Sequence, residues 1–340
     1  MKNFKIISID DKEWDETIKE SLNCDFYHSQ SYNLLESTGE TLLLKQELEG
    51  DFIAMPIILR DIPETNYKDC TSVYGYSGPI SNKDIECVEK KMIDLFIQNM
   101  KHYFKNKNVV SCFSRLHPIF NNDTLLRSVG EILDLNKTVG IDLSLPLDEQ
   151  KRSYRKSNKY EINKLKKKGY LVVEGKTKSD IDEFINIYNE TMRRVSASEN
   201  YFFSNEYFNS FLSNDSFETK LLLAKMEGVI TAGAIFTISN GIMQYHLAGT
   251  RGEFSKDTPM KLILDEARLL GFELNLKYLH LGGGVGGSDE DSLFRFKSGF
   301  SKKYFQFKIW KYICDENKYS ELVNEFCNDK KSSFFPLYRA

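Results

Sequence analysis

The chain has 340 residues, with 46 Lys+Arg against 49 Asp+Glu, a net charge of −3 and 41% hydrophobic residues. That length exceeds one typical core and predicts two domains, while the near-neutral balance excludes a global electrostatic drive toward nucleic acid or membrane. No apolar run approaches the roughly 20 residues that span a bilayer.

The N-terminal Met1-Lys-Asn-Phe-Lys leads into a strand-like alternation and lacks the apolar core of a signal peptide, so a cytoplasmic location is expected. The first strong signal is Leu42–Leu59, two apolar strands joined at Glu49-Gly50. A long amphipathic helix follows, with Ile85, Val88, Met92, Phe96, Met100 and Tyr103 on one face, and then a strand at Val109–Arg115. The same series recurs later. Leu221–Ile238 is a second hairpin, turning at Glu227-Gly228, followed by a strand at Ile242–Ala248, a helix opened by Pro259 and a strand at Tyr278–Leu281. Such long-period similarity predicts a duplicated α/β (α+β) domain with mixed sheets flanked by helices.

Between the repeats, nine of the eighteen residues from Lys151 to Lys168 are Lys or Arg, Glu161 is the lone acid, and Gly169 suits the helix end. This predicts one basic helix. Solvation alone explains most charge runs, but a local charge of +8 in a slightly acidic chain reads as an electrostatic footprint for phosphates, centred on Lys151, Arg152, Arg155 and Lys156. The expected division is a first domain over 1–145, the basic connecting helix over 146–170 and a second domain over 171–340. A helix from about Ser179 to Ser196, with Ser179 and Asp182 as a capping-box-like start, carries Arg193 and Arg194 at its end.

Five of the six residues from Gly282 to Gly287 are glycine, after an apolar strand and before the acidic Ser288-Asp289-Glu290-Asp291. Glycines let a backbone turn sharply and approach another group closely. The run contains a formal G-x-G-x-x-G, but the about fifty residues that remain are too few for the rest of a nucleotide-binding half, and the acids would repel a pyrophosphate. Beyond it lie Arg295, Phe296 and Lys297. Leu293, Phe296 and Phe300 are expected to face inward, flanked by Arg295 and Lys297. A lysine so placed can stabilise a phosphate or a developing oxyanion. Tyr245 and His246 lie near the end of a long strand, where α/β folds tend to place sites. His246 and His280 read as satisfied core histidines before they read as catalysts. Six cysteines without a Cys-x-x-Cys pair, and five histidines without ligand spacing to them, predict reduced thiols and no metal site.

Taken together, the two related halves, the basic segment, Thr191-x-Arg193, Tyr245–Thr250, Leu281-Gly-Gly-Gly284 and Leu293–Phe300 resemble the Fem-type (FemABX) peptidoglycan-bridge aminoacyltransferases of the GNAT-like superfamily. The resemblance covers nearly the whole chain and is strongest from about Asp142 onward. It implies tandem GNAT-like domains and transfer of an aminoacyl group from aminoacyl-tRNA to an amine of a peptidoglycan or other cell-envelope precursor, nucleotide- or lipid-linked. It implies no metal, no cofactor beyond the donor substrate, and no covalent enzyme intermediate. By the same resemblance Phe296 and Lys297 are the catalytic pair. The resemblance also implies substrate contacts for Thr191, Arg193 and Tyr245, and His246, Arg295, Gly283 and Gly284 are expected to join them by their position.

The chain departs from the family pattern in three places. Glu36 stands where some members carry a phosphate-binding lysine, Ala197 stands near an expected tyrosine, and no coiled-coil arm has room. Two other readings compete. One is an acyl-CoA-dependent N-acyltransferase of surface-polysaccharide biosynthesis, against which Arg251–Pro259 lacks an R-x-x-G-x-A/G pyrophosphate loop. The other is a non-enzymatic RNA-binding or adaptor protein. Peripheral contact with a membrane-bound precursor fits the first reading.

Overall fold

A computed structural model describes residues 3–285, 291–327, 329 and 331–340. The expected acidic helix start at Ser288–Glu290 and the last glycines of the run, Gly286 and Gly287, lie outside the described residues. In chain order the first elements are β1 (Phe4–Ser8), α1 (Glu13–Glu20), α2 (Gln30–Leu35), β2 (Glu40–Leu48), β3 (Asp51–Asp61), β4 (Lys68–Thr71), β5 (Ile80–Ser81), α3 (Lys90–Asn106) and β6 (Val109–Leu116). Then come β7 (Glu131–Asp142), α4 (Leu147–Arg152), α5 (Lys156–Lys167), β8 (Leu171–Glu174), α6 (Lys178–Arg194), α7 (Asn205–Leu212), β9 (Glu218–Met226), β10 (Val229–Ser239), β11 (Ile242–Thr250) and α8 (Met260–Glu273). The chain closes with β12 (Tyr278–Gly282), α9 (Ser292–Lys297), β13 (Lys303–Ile313) and α10 (Glu316–Phe326).

Two compact units result, one of residues 1–135 and 306–340, the other of 136–305. This differs from the division expected at 145 and 170. The basic segment lies inside the second unit, and the chain returns to the first because the last part of β13 pairs antiparallel with β6, from Lys308 opposite Leu116 to Ile313 opposite Ser111.

In the first unit β2 and β3 form an antiparallel hairpin, and α3 connects β4 to the parallel β6. In the second, β9 and β10 form the hairpin, and α8 connects β11 to the parallel β12. The two Glu-Gly turns are alike. Glu49 and Gly50 have φ of 54° and 92°, Glu227 and Gly228 have 49° and 84°. Two successive positive φ values give the turn whose twist matches that of the flanking strands. Each unit has its own apolar core. Met92, Phe96, Met100 and Phe104 of α3 pack on one face of the first sheet. Ile162 and Leu165 of α5 and Leu262, Ile263 and Ala267 of α8 pack on one face of the second. Among the described residues no helix forms a coiled-coil arm, and none is long and apolar enough to cross a membrane.

Two local expectations change. The helix start near residue 179 is capped by Thr177, whose Oγ1 accepts from Asp180 N while Asp180 accepts from Thr177 N, so the capping box lies two residues earlier. The basic segment is two helices. Tyr154, 3% exposed, turns into the core, where its hydroxyl meets Asp265 at 3.2 Å and accepts from Arg268 at 3.0 Å. Arg155 then takes extended backbone (ψ 147°) as the N-cap of α5. Gly169, at φ 86°, follows the end of α5 as expected.

Candidate active site

The site of the second unit begins where two parallel strands part. β11 and β12 pair through Ile242–Tyr278, Met243–Leu279 and Gln244–His280, and no further. β11 continues to Thr250 along β10, while β12 follows β7, with an irregularity between His280 and Gly282. Gly282 takes φ 72°, a conformation costly for any residue with a side chain. The fork thus opens at Tyr245 on one side and Leu281-Gly282-Gly283 on the other. Its base is fixed by His280, fully buried, whose ring nitrogens meet Gln244 Oε1 and Thr138 Oγ1. That is a satisfied core histidine.

Lys297 enters this fork from α9. Asp291 caps the helix by accepting from Phe294 N at 2.8 Å. Gly284 is required by the cap, because a Cβ there would lie 2.2 Å from Asp291 Oδ1. Lys297 is only 7% exposed; its Nζ donates to Gly283 O at 2.7 Å and lies 5.7 Å from the centroid of the Tyr245 ring. Burial lowers its pKa to about 8, an effect that Asp291 partly opposes. Burial pushes the Tyr245 phenol up, so it stays neutral. Among the described residues the ammonium's contacts are this carbonyl and this π face, weak compensation for a buried charge.

The packing of α9 differs from the face expected. Phe294 and Lys297 are its buried residues, Phe296 packs part-buried against the core, and Phe300, beyond the helix end, is fully buried. Six residues are too few for an i, i+3, i+7 face. Arg295 is exposed, and its carbonyl accepts from Arg155 Nη1 at 2.9 Å. Arg155 Nη2 donates to Ser298 Oγ at 2.9 Å, and Arg155 N donates to Gly299 O at 2.9 Å. Gly299 has no room for a side chain, with Asn158 Nδ2 2.6 Å from a hypothetical Cβ. Arg155, expected among phosphate-binding cations, therefore directs its fork at the C-terminal end of α9, where a cation also suits the helix dipole. Arg155→Ala is expected to lower the melting temperature, by an equivalent of about 1 kcal/mol after screening, and to lower turnover with it. Arg155→Lys restores little, lacking the fork. A variant that melts like the parent but binds donor less well would return Arg155 to phosphate binding.

The remaining candidates lie elsewhere in the unit. Successive side chains of a strand face opposite ways. Tyr245 packs with the α5 and α8 core, while His246 stacks on Phe211 of α7, centroids 4.8 Å apart and planes at 11°. Burial holds the His246 imidazole down at about 3 and thus neutral. Thr191 Oγ1 accepts from Thr250 N at 2.9 Å and donates to Ile187 O at 2.9 Å, tying α6 to the end of β11. Gly249 allows that approach, since a Cβ there would meet the α6 backbone at 2.9 Å. Arg193 is exposed; its neighbour Arg194 bonds Thr250 O at 2.8 Å. The structure brings together Lys297, Gly283 and Tyr245, packs Phe296 against the core of the same unit, and leaves Thr191, Arg193 and His246 apart from them. Lys151 is part-buried, while Arg152 and Lys156 are exposed. Sequence reasoning missed Phe294, Asn158, Asp291 as a cap, and the bracing role of Arg155. Only the Asp291 cap has a local signal, an acid one residue before an apolar helix. Among the described residues no cluster of His, Cys, Asp or Glu is arranged to hold a metal ion.

Residues 152–298 match the model of the Acetyltransferase (GNAT) domain, a span that closes just after Lys297. No curated protein matches the chain. Among solved structures it is similar to FemX, at 14% identity over 93% of this chain and 99% of that one, TM-score 0.72. It is also similar to L-PGS from Bacillus licheniformis, at 14% identity over 91% and 94%, TM-score 0.62. A third is the C-terminal domain (DUF2156) of a putative lysylphosphatidylglycerol synthetase from Agrobacterium fabrum, at 12% identity over 88% and 91%, TM-score 0.56. At such identities the likeness is one of fold. The chain thus shares the fold of FemX, and within it residues 152–298 match a GNAT domain.

Proposed function

We propose that the protein transfers an aminoacyl group from aminoacyl-tRNA to an amine of a peptidoglycan or other cell-envelope precursor, with no cofactor beyond the donor. The observation that carries this reading is the buried Lys297 ammonium in the fork between β11 and β12. The acceptor nitrogen attacks the donor carbonyl, a C–N bond forms, and the bond to the donor oxygen breaks. Protonated Lys297 stabilises the charge on the departing oxygen and supplies its proton. The proton released by the nitrogen restores Lys297, so the balance closes. Tyr245 and Phe296 shape the apolar wall that keeps water away, and Gly283 O holds the ammonium in line. Thr191, Arg193, His246, Arg295, Gly284 and the cations Lys151, Arg152, Arg155 and Lys156 remain, in this reading, candidates for contact with the two substrates.

The test is incubation with a pool of radiolabelled aminoacyl-tRNAs and a nucleotide-linked peptidoglycan precursor. Label appearing on the precursor amine, and lost in Lys297→Met, is the expected result. Equivalent transfer from acetyl-CoA in place of charged tRNA would move the reading to the acyl-CoA enzyme. Transfer from neither, with RNA still bound, would leave an adaptor.

A further inference from the structure

We infer that the outward face of α5 is a docking surface for single-stranded RNA, with phosphates on Lys156, Lys164 and Lys167 and a base stacked on Tyr160. The cations of this segment are sorted by direction. Lys166 pairs with Glu266 at 2.8 Å, Lys168 pairs with Asp257 at 2.6 Å, and Lys159 donates to Arg152 O. Glu161, the single acid of the helix, pairs with Lys261. Lys156, Lys164 and Lys167 are exposed and enter no ion pair or side-chain hydrogen bond among the described residues. Tyr160 sits among them, 69% exposed.

At 3.6 residues per turn, positions 156, 160, 163, 164 and 167 fall within an arc of about 100°, opposite the buried Asn158, Ile162 and Leu165. The stripe is therefore continuous, about 16 Å from Lys156 to Lys167 at 1.5 Å per residue. Exposed cations outside any direct ion pair among the described residues, Lys164 acting on Asp257 only at longer range, surround an exposed aromatic ring and combine a phosphate track with a stacking platform, the pairing that unpaired nucleic acid needs. A membrane surface fits less well. An interfacial helix must bury an apolar face in lipid, and the apolar residues of α5, Ile162 at 0% and Leu165 at 2% exposure, already belong to the protein core.

One end of the stripe abuts the site. Arg155, the N-cap of α5, holds the end of α9, and Asn158 lies against Gly299, two residues beyond Lys297. An RNA lying along α5 would thus have an end near the lysine. The inference deepens the proposed function and rests on it for the RNA's purpose, but not for its binding.

The experiment measures fluorescence anisotropy of a labelled single-stranded eight-nucleotide RNA of mixed sequence across salt concentrations. Parallel arms use its duplex form and vesicles of phosphatidylcholine with phosphatidylglycerol. The single strand is expected to bind best. Tyr160→Ala should weaken it roughly 5- to 150-fold, and Tyr160→Phe should retain it. Converting Lys156, Lys164 and Lys167 to Gln should flatten the log–log salt slope by about 2, at roughly 0.7 per phosphate contact. RNA binding of this pattern in a protein that transfers no aminoacyl group would still support the surface, which separates it from the catalytic reading. Absence of salt-dependent RNA binding, indifference to Tyr160→Ala, or vesicle binding that depends on the same lysines would each overturn the inference.

Discussion

Lys297→Met is expected to lower turnover by roughly ten- to a thousandfold, the range for loss of one preorganised electrostatic donor. Methionine keeps much of the stem's bulk and removes the charge, so the melting temperature should hold or rise. Among the described residues the buried ammonium touches one carbonyl and one aromatic face, with Asp291 acting on it less strongly than burial does, and removing a poorly compensated buried charge relieves its desolvation cost. A second readout comes from pH. Burial lowers the Lys297 pKa to about 8, so the protonated form dominates below that value and is lost as pH rises through it. If the charged form assists the leaving group, the parent's turnover falls on the alkaline side of about pH 8 and the residual rate of Lys297→Met lacks that limb. Turnover that is unchanged in the variant would sink the catalytic assignment. A large loss with the alkaline limb intact would assign the limb to another group, the acceptor amine first.

The parts of this molecule that were legible in the sequence are those fixed by local rules. Both hairpins announce themselves, because near-continuous apolar runs flank a Glu-Gly pair and the turn itself demands the positive φ that glycine supplies. The helices α3 and α8 follow from long 3.6-period stripes, and the parallel strand after each follows from the repeat. The motif around Lys297 was legible as a resemblance, and its neighbours Gly283 and Tyr245 were among the residues expected to bind substrate.

What escaped depends on distant partners. The break in the basic segment at Tyr154 is dictated by Asp265 and Arg268, more than a hundred positions away in sequence. Nothing local marks Arg155 as the brace of α9, since its acceptors are Arg295 O and Ser298 Oγ. The unit boundary missed the return of β13 because strand pairing at long separation leaves no periodic trace. The buried face of α9 went to the wrong phenylalanine because a helix of six residues, ended by its caps, never completes the stripe that the period assumes.

The same blindness hid a cluster in the first unit, and it yields the largest stability effect expected here. Asp25 and His117 are both fully buried, with His117 Nε2 donating to Asp25 Oδ2 at 3.0 Å. His117 Nδ1 accepts from Ile119 N at 3.3 Å, which fixes that tautomer, and the ring stacks on Phe120 at 3.9 Å. The other oxygen of Asp25 accepts from Phe26 N at 2.7 Å. His117→Leu keeps an apolar side chain in the site and strips the carboxylate of its imidazole donor. Breaking a buried pair from one side costs about 3–5 kcal/mol, so a large fall in melting temperature is expected at pH 8. The fall should shrink toward pH 5, for two reasons of the same sign. Burial raises the Asp25 pKa to about 7, so its carboxyl takes up a proton as pH falls and the unpaired charge in the variant disappears. Burial lowers the His117 pKa to about 3, so the parent's unfolded chain gains a proton there near pH 6.5 that its folded state refuses, a penalty the variant lacks. Thermal melts of both proteins at pH 8, 6.5 and 5 measure the gap directly. A gap that widens toward pH 5 would mean that the pair is held as an ion pair with a protonated imidazole, and that His117 rather than Asp25 carries the proton at neutral pH.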